Sequence, residues 1–198
     1  MKEFWNERYA SDDYAYGKDP NEFLQQQLKG ETPGSMLLPC EGEGRNAVYA
    51  ARLGWQVTAF DLSESGKNKC SQLAQVCNVK VDYHLSDAGY FPYGEHQYDC
   101  IVLIYAHFPP AVREYVHKQC VKALRPGGLL LLEAFHPNQL HYKSGGPKAP
   151  DLLYSREQLL EDFQQLHTLL AEEKEIELAE GPFHQGKAFV VRFAARKQ

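Results

Sequence analysis

Residues 35–61 have the sequence SMLLPCEGEGRNAVYAARLGWQVTAFD, and this stretch decides the fold. An apolar run leads through a glycine-bearing turn into an amphipathic segment, and a second apolar run ends on Asp61. A strand, a helix and a strand in this order form a βαβ unit, the building block of a parallel sheet. The stretch therefore predicts two parallel strands with a helix packed across them.

The same alternation continues outward along the chain. Apolar runs typical of strands lie at 35–38, 56–60, 79–84, 99–104, 129–135, 176–179 and 188–193. Amphipathic stretches typical of helices lie at 21–29, 45–53, 63–77, 111–124 and 155–170. Ser63 and Ser155 are good N-caps, and Gln158 stands at the capping-box spacing from Ser155. We predict an α/β fold, a doubly wound open sheet with helices on both faces and a ligand site outside the carboxyl ends of its strands.

Composition bounds the class of protein. A length of 198 residues predicts one domain, 1–198, and 43% hydrophobic with 24% charged residues excludes disordered and fibrous classes. A net charge of −5 disfavours nucleic acid as a partner. The apolar runs are shorter than the ~20 residues of a membrane span, and five cysteines without a CxxC pair are typical of reduced thiols. We expect a cytoplasmic protein without a membrane partner.

Two regions depart from the alternation. Residues 1–34 precede the first strand and are dense in aromatic side chains, namely Phe4, Trp5, Tyr9, Tyr14, Tyr16 and Phe23. We predict that this N-terminal segment folds as a cover over a site. Residues 136–150, HPNQLHYKSGGPKAP, form a long polar loop after a strand, and loops of that length are usually functional. We predict that this loop lies on the substrate side.

Three features point to an adenosine ligand. Gly42 and Gly44 let the backbone approach a ligand at the N-terminus of a helix, where N–H groups favour an anion. Asp61 follows the second strand, where doubly wound folds place an acid that binds ribose hydroxyls. Asp87 follows the third strand and could accept a hydrogen bond from an adenine amine. The alternatives are a helix cap for Asp61, which Ser63 could supply instead, and an Asx turn for Asp87.

These residues, with YDCIVLIYAHF at 98–108 and LRPGGLLLLEAF at 124–135, resemble a class I S-adenosylmethionine-dependent methyltransferase over nearly the whole chain. Several runs resemble the small tellurite-resistance and thiopurine methyltransferases more closely. These runs are FWNERYA at 4–10, YGKDPNEFL at 16–24, EGEGRNAVYAA at 41–51, GGPKAPDLLYS at 145–155 and EGPFHQGKAFVVRF at 180–193.

The resemblance implies a Rossmann-like, seven-stranded, mostly parallel sheet with an antiparallel last strand. It also implies S-adenosylmethionine as cofactor, S-adenosylhomocysteine as product and a small-molecule acceptor, with a soft nucleophile such as a thiol or a metalloid oxyanion as the suggested class. The glycines would flank the methionine part, Asp61 the ribose, Asp87 with Ala88 the adenine, and Ile104 with Tyr105 the methyl group. The full set of expected cofactor residues is Arg8, Tyr9, Tyr16, Gly17, Cys40, Glu41, Gly42, Gly44, Asn46, Asp61, Leu62, Asp87, Ala88, Ile104 and Tyr105.

The turn departs from the usual pattern of an acid followed by three alternate glycines. Leu38 stands at the acid position and Cys40 at the first glycine, so Glu41 and Glu43 are the candidates to replace the acid. A thiol at a helix N-terminus can be reactive, but Cys40 is better explained as a small residue in place of glycine. The departure leaves a second hypothesis open, a catalytically silent cofactor-binding or interaction protein. A nicotinamide-dependent oxidoreductase is a third, disfavoured because no third glycine follows Ala47.

Histidines are the candidate general bases. A base is required when the acceptor is protonated at neutral pH and superfluous for a soft anion. His107, directly after the fourth strand, is the first candidate, and His184, before the last strand, is the second. For either histidine a structural role is the alternative. The Cys and His spacings predict no metal site, and the chain is expected to be a monomer or a homodimer.

Overall fold

The computed structural model describes residues 1–198 and centres on one seven-stranded sheet of order β3-β2-β1-β4-β5-β7-β6. The strands are β1 Ser35–Pro39, β2 Gln56–Asp61, β3 Asp82–Leu85, β4 Tyr98–Ile104, β5 Leu124–Phe135, β6 Leu166–Glu180 and β7 His184–Lys197. The helices are α1 Lys2–Arg8, α2 Glu22–Gln27, α3 Arg45–Arg52, α4 Glu64–Val76, α5 Pro110–Ala123 and α6 Arg156–Asp162. Two 3₁₀ turns, Pro137–His141 and Pro150–Leu152, lie between β5 and α6.

The central strands are buried on both faces because alternate side chains enter two different apolar cores. Leu37 and Ile101 pack in the core that α5 and α6 cover. Met36, Leu38 and Val102 pack in the core that α2, α3 and α4 cover. Continuous apolar runs are typical of such doubly covered parallel strands, so helices on both faces follow from the sequence.

The predicted fold is confirmed. Strands β1 to β5 pair in parallel, and β7 is antiparallel to both β5 and β6. Only three residues, 181–183, join β6 to β7, which is possible because a hairpin needs no crossover. The strand order reverses between β1 and β4, so their following segments diverge and leave a crevice at that sheet edge.

The predicted helix 155–170 is wrong in its second half. Ser155 and Gln158 form the predicted capping box, but the helix ends at Asp162. Strand β6 then begins at Leu166 and pairs with β7 along nearly its whole length. These hydrogen bonds outweigh the helical preference of residues 163–170, since propensity is weak beside tertiary context.

The 136–150 segment is less loop-like than predicted, because its first residues form a 3₁₀ turn that β7 holds. The Gln139 side chain is buried and accepts a hydrogen bond from Phe189 N at 2.8 Å. The same side chain donates to Gly145 O at 3.1 Å. This part of the segment is therefore fixed to the sheet. No helix of the chain is both long enough and apolar enough to cross a membrane.

Gly44 begins α3 in the left-handed region, at φ 87°, and a Cβ there would overlap the Cys70 side chain, including its Cβ at 2.5 Å. We expect Gly44→Ala to cost about 2 kcal/mol more folding free energy than Gly127→Ala, because overpacking adds to the left-handed strain. Gly127 has a similar φ of 78° but no atom within 4 Å of its Cβ position, which makes it the matched control. Urea unfolding measures both variants, and equal losses would contradict the close contact between α3 and α4.

Candidate active site at the carboxyl ends of the central strands

The backbone after β1 and β4 is strained on the two sides of the crevice. Cys40, Gly42 and Gly44 take φ values of 55°, 62° and 87°, and Tyr105 after β4 takes 53°. Left-handed backbone costs a non-glycine residue about 1–2 kcal/mol and persists where the surrounding structure enforces it, often at functional sites. Both strained non-glycine residues belong to the cofactor set expected from the sequence.

Asp61 lies at the end of β2 with its carboxylate turned back toward the glycine turn. Its two oxygens accept hydrogen bonds from Gly42 N at 3.1 Å and Ser63 N at 2.9 Å. Ser63, and not Asp61, caps α4 by accepting from Gly66 N at 3.1 Å. Burial raises the pKa of Asp61, opposed by hydrogen bonds from backbone N–H groups. A carboxylate has about four acceptor positions, so Asp61 retains capacity for two further donors.

Asp87 forms the Asx turn that was the alternative to adenine binding. Its Oδ1 accepts from Gly89 N at 2.7 Å, and Ala88 beside it is buried. The Asx turn occupies one oxygen and leaves the other without a protein donor. The neighbouring expected residues Leu62 and Ile104 are partly buried after β2 and at the end of β4.

Both glutamates of the turn have partners within the chain. Glu41 Oε1 accepts from Ala47 N at 2.7 Å and thereby caps α3. Glu43 pairs with Lys69 Nζ at 2.8 Å and is buried. Leu38, at the acid's usual position, is fully buried in the core. The structure thus gives all three residues roles in holding the turn.

The surroundings of the partly buried Cys40 disfavour a reactive thiol. The apolar surroundings, together with the nearby carboxylates of Asp61 and Asp87, raise the pKa of the Cys40 thiol well above its ordinary value. A thiol in such surroundings stays protonated and is a poor nucleophile. No group of three or more His, Cys, Asp or Glu side chains is arranged to hold a metal ion.

The N-terminal segment lies over the turn. Tyr9 is buried against Gly42, where a Cβ would come within 2.7 Å of the Tyr9 hydroxyl. Asn6 Oδ1 accepts from Ser63 Oγ at 2.9 Å and so ties α1 to the start of α4. Gly17 packs on the β6–β7 link, where its Cβ would lie 3.3 Å from Gly181 N. The segment therefore spans from the glycine turn to the last hairpin.

Arg8 lies at the outer side of this cover. Its Nη1 donates to the Tyr16 hydroxyl at 3.3 Å, and its guanidinium lies 4.0 Å from the centre of the Phe183 ring. No carboxylate of the chain forms an ion pair with it. Arg8 therefore keeps free donors that could hold the carboxylate of a ligand.

His107 does not have the free nitrogen that a general base needs. Its Nδ1 lies 2.7 Å from Leu152 O, and its Nε2 accepts from Phe135 N at 3.3 Å. Burial lowers the pKa of His107 to about 4. Both nitrogens join β5 and the second 3₁₀ turn to the end of β4, which favours the structural alternative for this histidine.

His184 has one nitrogen bonded and one without a hydrogen-bond partner in the chain. Nδ1 lies 3.1 Å from Glu180 Oε2, and Nε2 is unpaired. Its ring packs beside Tyr16 and Tyr105, at centroid distances of 4.4 and 4.8 Å. Burial lowers the pKa of His184, although the Glu180 carboxylate opposes this effect. The structure thus favours His184 over His107 as the candidate base.

Two residues of α3 have partners within the chain. Arg45, a residue type that is usually exposed, is buried and pairs with Glu180 Oε2 at 3.0 Å. Asn46, which the resemblance places in the cofactor set, accepts from Asn21 N at 2.9 Å. The α3 N-terminus therefore binds the N-terminal segment and the last hairpin directly.

Sequence reasoning missed the polar group behind the site. Glu133, in β5, has no exposed surface and accepts from Tyr105 Oη at 2.8 Å and Asn21 Nδ2 at 2.6 Å. Arg192 of β7 pairs with its other oxygen. The charge within the run LLLLEAF was the available signal, because a charged residue is almost never fully buried unless it is paired.

A polar cavity of about 250 Å³ lies beside the site rather than in it. It is bounded by the segment from Tyr16 to Glu22, by the end of β6 and by Glu133 and Arg192. The cavity therefore lies behind the polar group and away from Asp61 and the glycine turn.

Comparison with protein families matches residues 38–128 to the methyltransferase-domain family. The matched region includes the strained turn, Asp61, Asp87 and Tyr105. The match thus covers the part of the chain that forms the crevice. No curated protein sequence is significantly similar to the chain.

Several solved structures share the fold. The structure reported as "Conversion of a Disulfide Bond into a Thioacetal Group during Echinomycin Biosynthesis" has a TM-score of 0.81 and 17% identity, covering 100% of this chain and 92% of that one. TehB from Haemophilus influenzae has a TM-score of 0.72 and 19% identity, covering 100% and 67%. The Burkholderia thailandensis 1,6-didemethyltoxoflavin-N1-methyltransferase, with bound 1,6-didemethyltoxoflavin and S-adenosylhomocysteine, has a TM-score of 0.64 and 20% identity, covering 88% and 75%. At these identities the likeness establishes the fold.

Glu41 makes the stability of the turn depend on pH. Burial, opposed by the hydrogen bond from Ala47 N, raises its pKa from 4.5 to about 7. Between pH 4.5 and about 7 the Glu41 carboxyl is mostly ionised in the unfolded chain and mostly protonated in the folded chain. The free energy of unfolding therefore falls as pH rises through this range, by at most about 3 kcal/mol. We expect Glu41→Gln to remove this fall, measured by urea unfolding at pH 5 and pH 7.5. The exposed Glu114→Gln is the control, and a Glu41→Gln variant that loses stability with pH as the wild type does would contradict the assignment.

Proposed function

We propose that this chain is an S-adenosylmethionine-dependent methyltransferase that acts on a small-molecule acceptor. The observation that carries the proposal is the meeting of the strained glycine turn, the Asp61 carboxylate and the strained Tyr105 at the switch point between β1 and β4. In open α/β sheets this is where ligands bind. The match to the methyltransferase-domain family over residues 38–128 includes all three features.

The residues present fit the cofactor. Asp61 has unused acceptor positions for ribose hydroxyls, and one Asp87 oxygen is free for an adenine amine. Tyr105 would lie beneath the methyl group, since it follows β4 at the crevice. Arg8 would hold the cofactor carboxylate, because its guanidinium is unpaired.

When bound, S-adenosylmethionine supplies a methyl group on a good leaving group, so the protein mainly has to orient the acceptor and exclude water. The N-terminal segment is suited to excluding water, because Tyr9 is buried against the turn and Tyr16 packs on His184. We propose His184 as the candidate base and leave His107 in a structural role. The chain would then work as a cytoplasmic monomer or homodimer.

The acceptor we propose is a soft nucleophile, a thiol or a metalloid oxyanion. The resemblance to tellurite-resistance and thiopurine methyltransferases supports this class. Aromatic rings surround the candidate base, with Tyr16, Tyr105 and Phe135 centred 4.4, 4.8 and 5.3 Å from the His184 ring. Polarisable sulfur makes favourable contacts with such rings.

One observation favours a second function, a cofactor-binding protein without turnover. Leu38 stands buried in the core at the position of the usual acid, so no acid stands at the place that normally holds the cofactor amino group. A protein that binds S-adenosylhomocysteine but methylates no thiol or metalloid oxyanion would support this alternative.

We expect Asp61→Ala to weaken the binding of S-adenosylhomocysteine at least tenfold, or about 1.4 kcal/mol, because the variant loses both the ribose acceptor and the hydrogen bond to Gly42 N. Calorimetric titration measures the affinity, with NADH titrated into the wild type to test the oxidoreductase hypothesis.

Asp82→Ala is the matched control, since Asp82 is an exposed acid on the neighbouring strand β3. Its affinity should equal that of the wild type. An unchanged affinity in Asp61→Ala would remove Asp61 from the binding site, and absence of wild-type binding would overturn the proposed cofactor.

A further inference from the structure

The buried His184 and the partly buried Glu180 form a pair at the two ends of the β6–β7 link. Glu180 Oε2 lies 3.1 Å from His184 Nδ1 and 3.0 Å from Arg45 Nη2, and its Oε1 accepts from Asn21 Nδ2 at 3.3 Å. The carboxylate is therefore held from three sides, by a histidine, an arginine and an amide. Such a carboxylate fixes the orientation of the imidazole that donates to it.

We propose that Glu180 is a positioning residue that holds His184 as the base for an acceptor whose nucleophilic atom carries a proton at neutral pH, namely a neutral thiol. This inference rests on the proposed methyl transfer and narrows its acceptor class. An acceptor that is already an anion needs no base, so a dedicated Glu–His pair favours the thiol over the metalloid oxyanion.

The pair keeps His184 in the form that a base requires. Burial raises the pKa of Glu180, but the hydrogen bond from His184 and the charge of Arg45 outweigh it and hold the pKa at about 2, so the carboxylate is ionised at neutral pH. An ionised Glu180 accepts a proton from Nδ1, which leaves the lone pair on Nε2. The charged and titratable groups facing His184 are Glu180 of β6, Arg45 of α3, Glu133 of β5, Tyr105 after β4, Tyr16 of the N-terminal segment and the more distant His107.

The Nε2 side of the ring faces backbone that lacks a side chain. Gly145, at φ 128° in the 136–150 segment, lies so close that a Cβ there would come within 3.3 Å of Nε2. A larger residue at position 145 would therefore crowd the edge of the ring that carries Nε2. The acceptor would reach Nε2 between the ring and this segment, which agrees with the predicted substrate side of 136–150.

The transfer balances with the groups named. His184 Nε2 takes the thiol proton, the thiol sulfur forms a bond to the methyl carbon, and the bonding pair of the broken bond stays on the cofactor sulfur as a neutral thioether. The resulting imidazolium is stabilised by the Glu180 carboxylate through Nδ1–H. The acceptor sulfur thus loses its proton and gains the methyl group, and no further reactant is needed.

Glu180→Gln tests the pairing without any acceptor. In the complex with S-adenosylhomocysteine, nitrogen-15 NMR of the wild type should show the His184 proton on Nδ1. We expect Glu180→Gln to lower the pKa of His184 by at least about one pH unit, because the opposite charge is lost, and to weaken the Nδ1–H preference. Glu177→Gln, the same change at an exposed position on the same strand, should alter neither.

Glu180→Asp tests the role of the carboxylate in case Glu180→Gln does not fold. It keeps a carboxylate to pair with Arg45, so it should fold and retain more of the His184 pKa than Glu180→Gln does. If Glu180→Gln fails to fold, an Asp variant whose His184 titration and tautomer equal those of the wild type would contradict the positioning role of Glu180. So would an unchanged His184 titration in a folded Glu180→Gln.

Two thiols test the acceptor class. We expect Glu180→Gln to slow methylation of 2-mercaptoethanol, protonated at neutral pH, at least about tenfold in kcat and to shift the rise of the rate with pH to lower pH. Methylation of 4-nitrothiophenol, ionised at neutral pH, should slow less than about threefold. Equal effects on both thiols would overturn the neutral-thiol inference. A wild type that methylates neither would reject thiol acceptors, and with them this inference, while the NMR titration still decides whether Glu180 orients His184.

Discussion

The structure depends on one buried carboxylate. Glu133 lies near the carboxyl end of β5 with no exposed surface, where an unpaired charge would be far too costly to keep. Its oxygens are satisfied by Arg192 of β7, by the hydroxyl of Tyr105 and by the amide of Asn21. Three distant parts of the chain must therefore meet at one point for the sheet to close.

This requirement positions the site. Tyr105 must take its left-handed backbone at the end of β4 to reach Glu133, and this places its ring at the crevice. Asn21 must fold back across the sheet, and in doing so it binds Asn46 at the start of α3 and Glu180 at the end of β6. A single buried group thus connects the cover, the cofactor turn and the candidate base. Removing one partner of such a group leaves the others uncompensated.

In the β6–β7 hairpin, contacts between distant parts of the chain likewise position the candidate base. Glu180 and His184 face each other because only three residues separate β6 from β7, and Arg45 from α3 completes the pair. The hydrogen bonds of His107 to Leu152 and Phe135, in contrast, use both of its nitrogens in joining the end of β4 to its neighbours. Two histidines that look alike in the sequence therefore differ in what they can do, because hydrogen-bond partners decide which nitrogen is free.

The sequence by itself determined the layered α/β sheet, the glycine turn and the order of the acids at the strand ends, because hydrophobic period, caps and turn residues act over a few positions. The same local rules placed a helix over 155–170, and the strand that replaced its second half formed through pairing with β7, which is distant in the chain. Only the tertiary structure decided which turn glutamates are already engaged, that Arg45 is buried and that His184 keeps an unpaired nitrogen. These properties depend on contacts between residues far apart in sequence, and such contacts set burial, partners and protonation without leaving a local pattern.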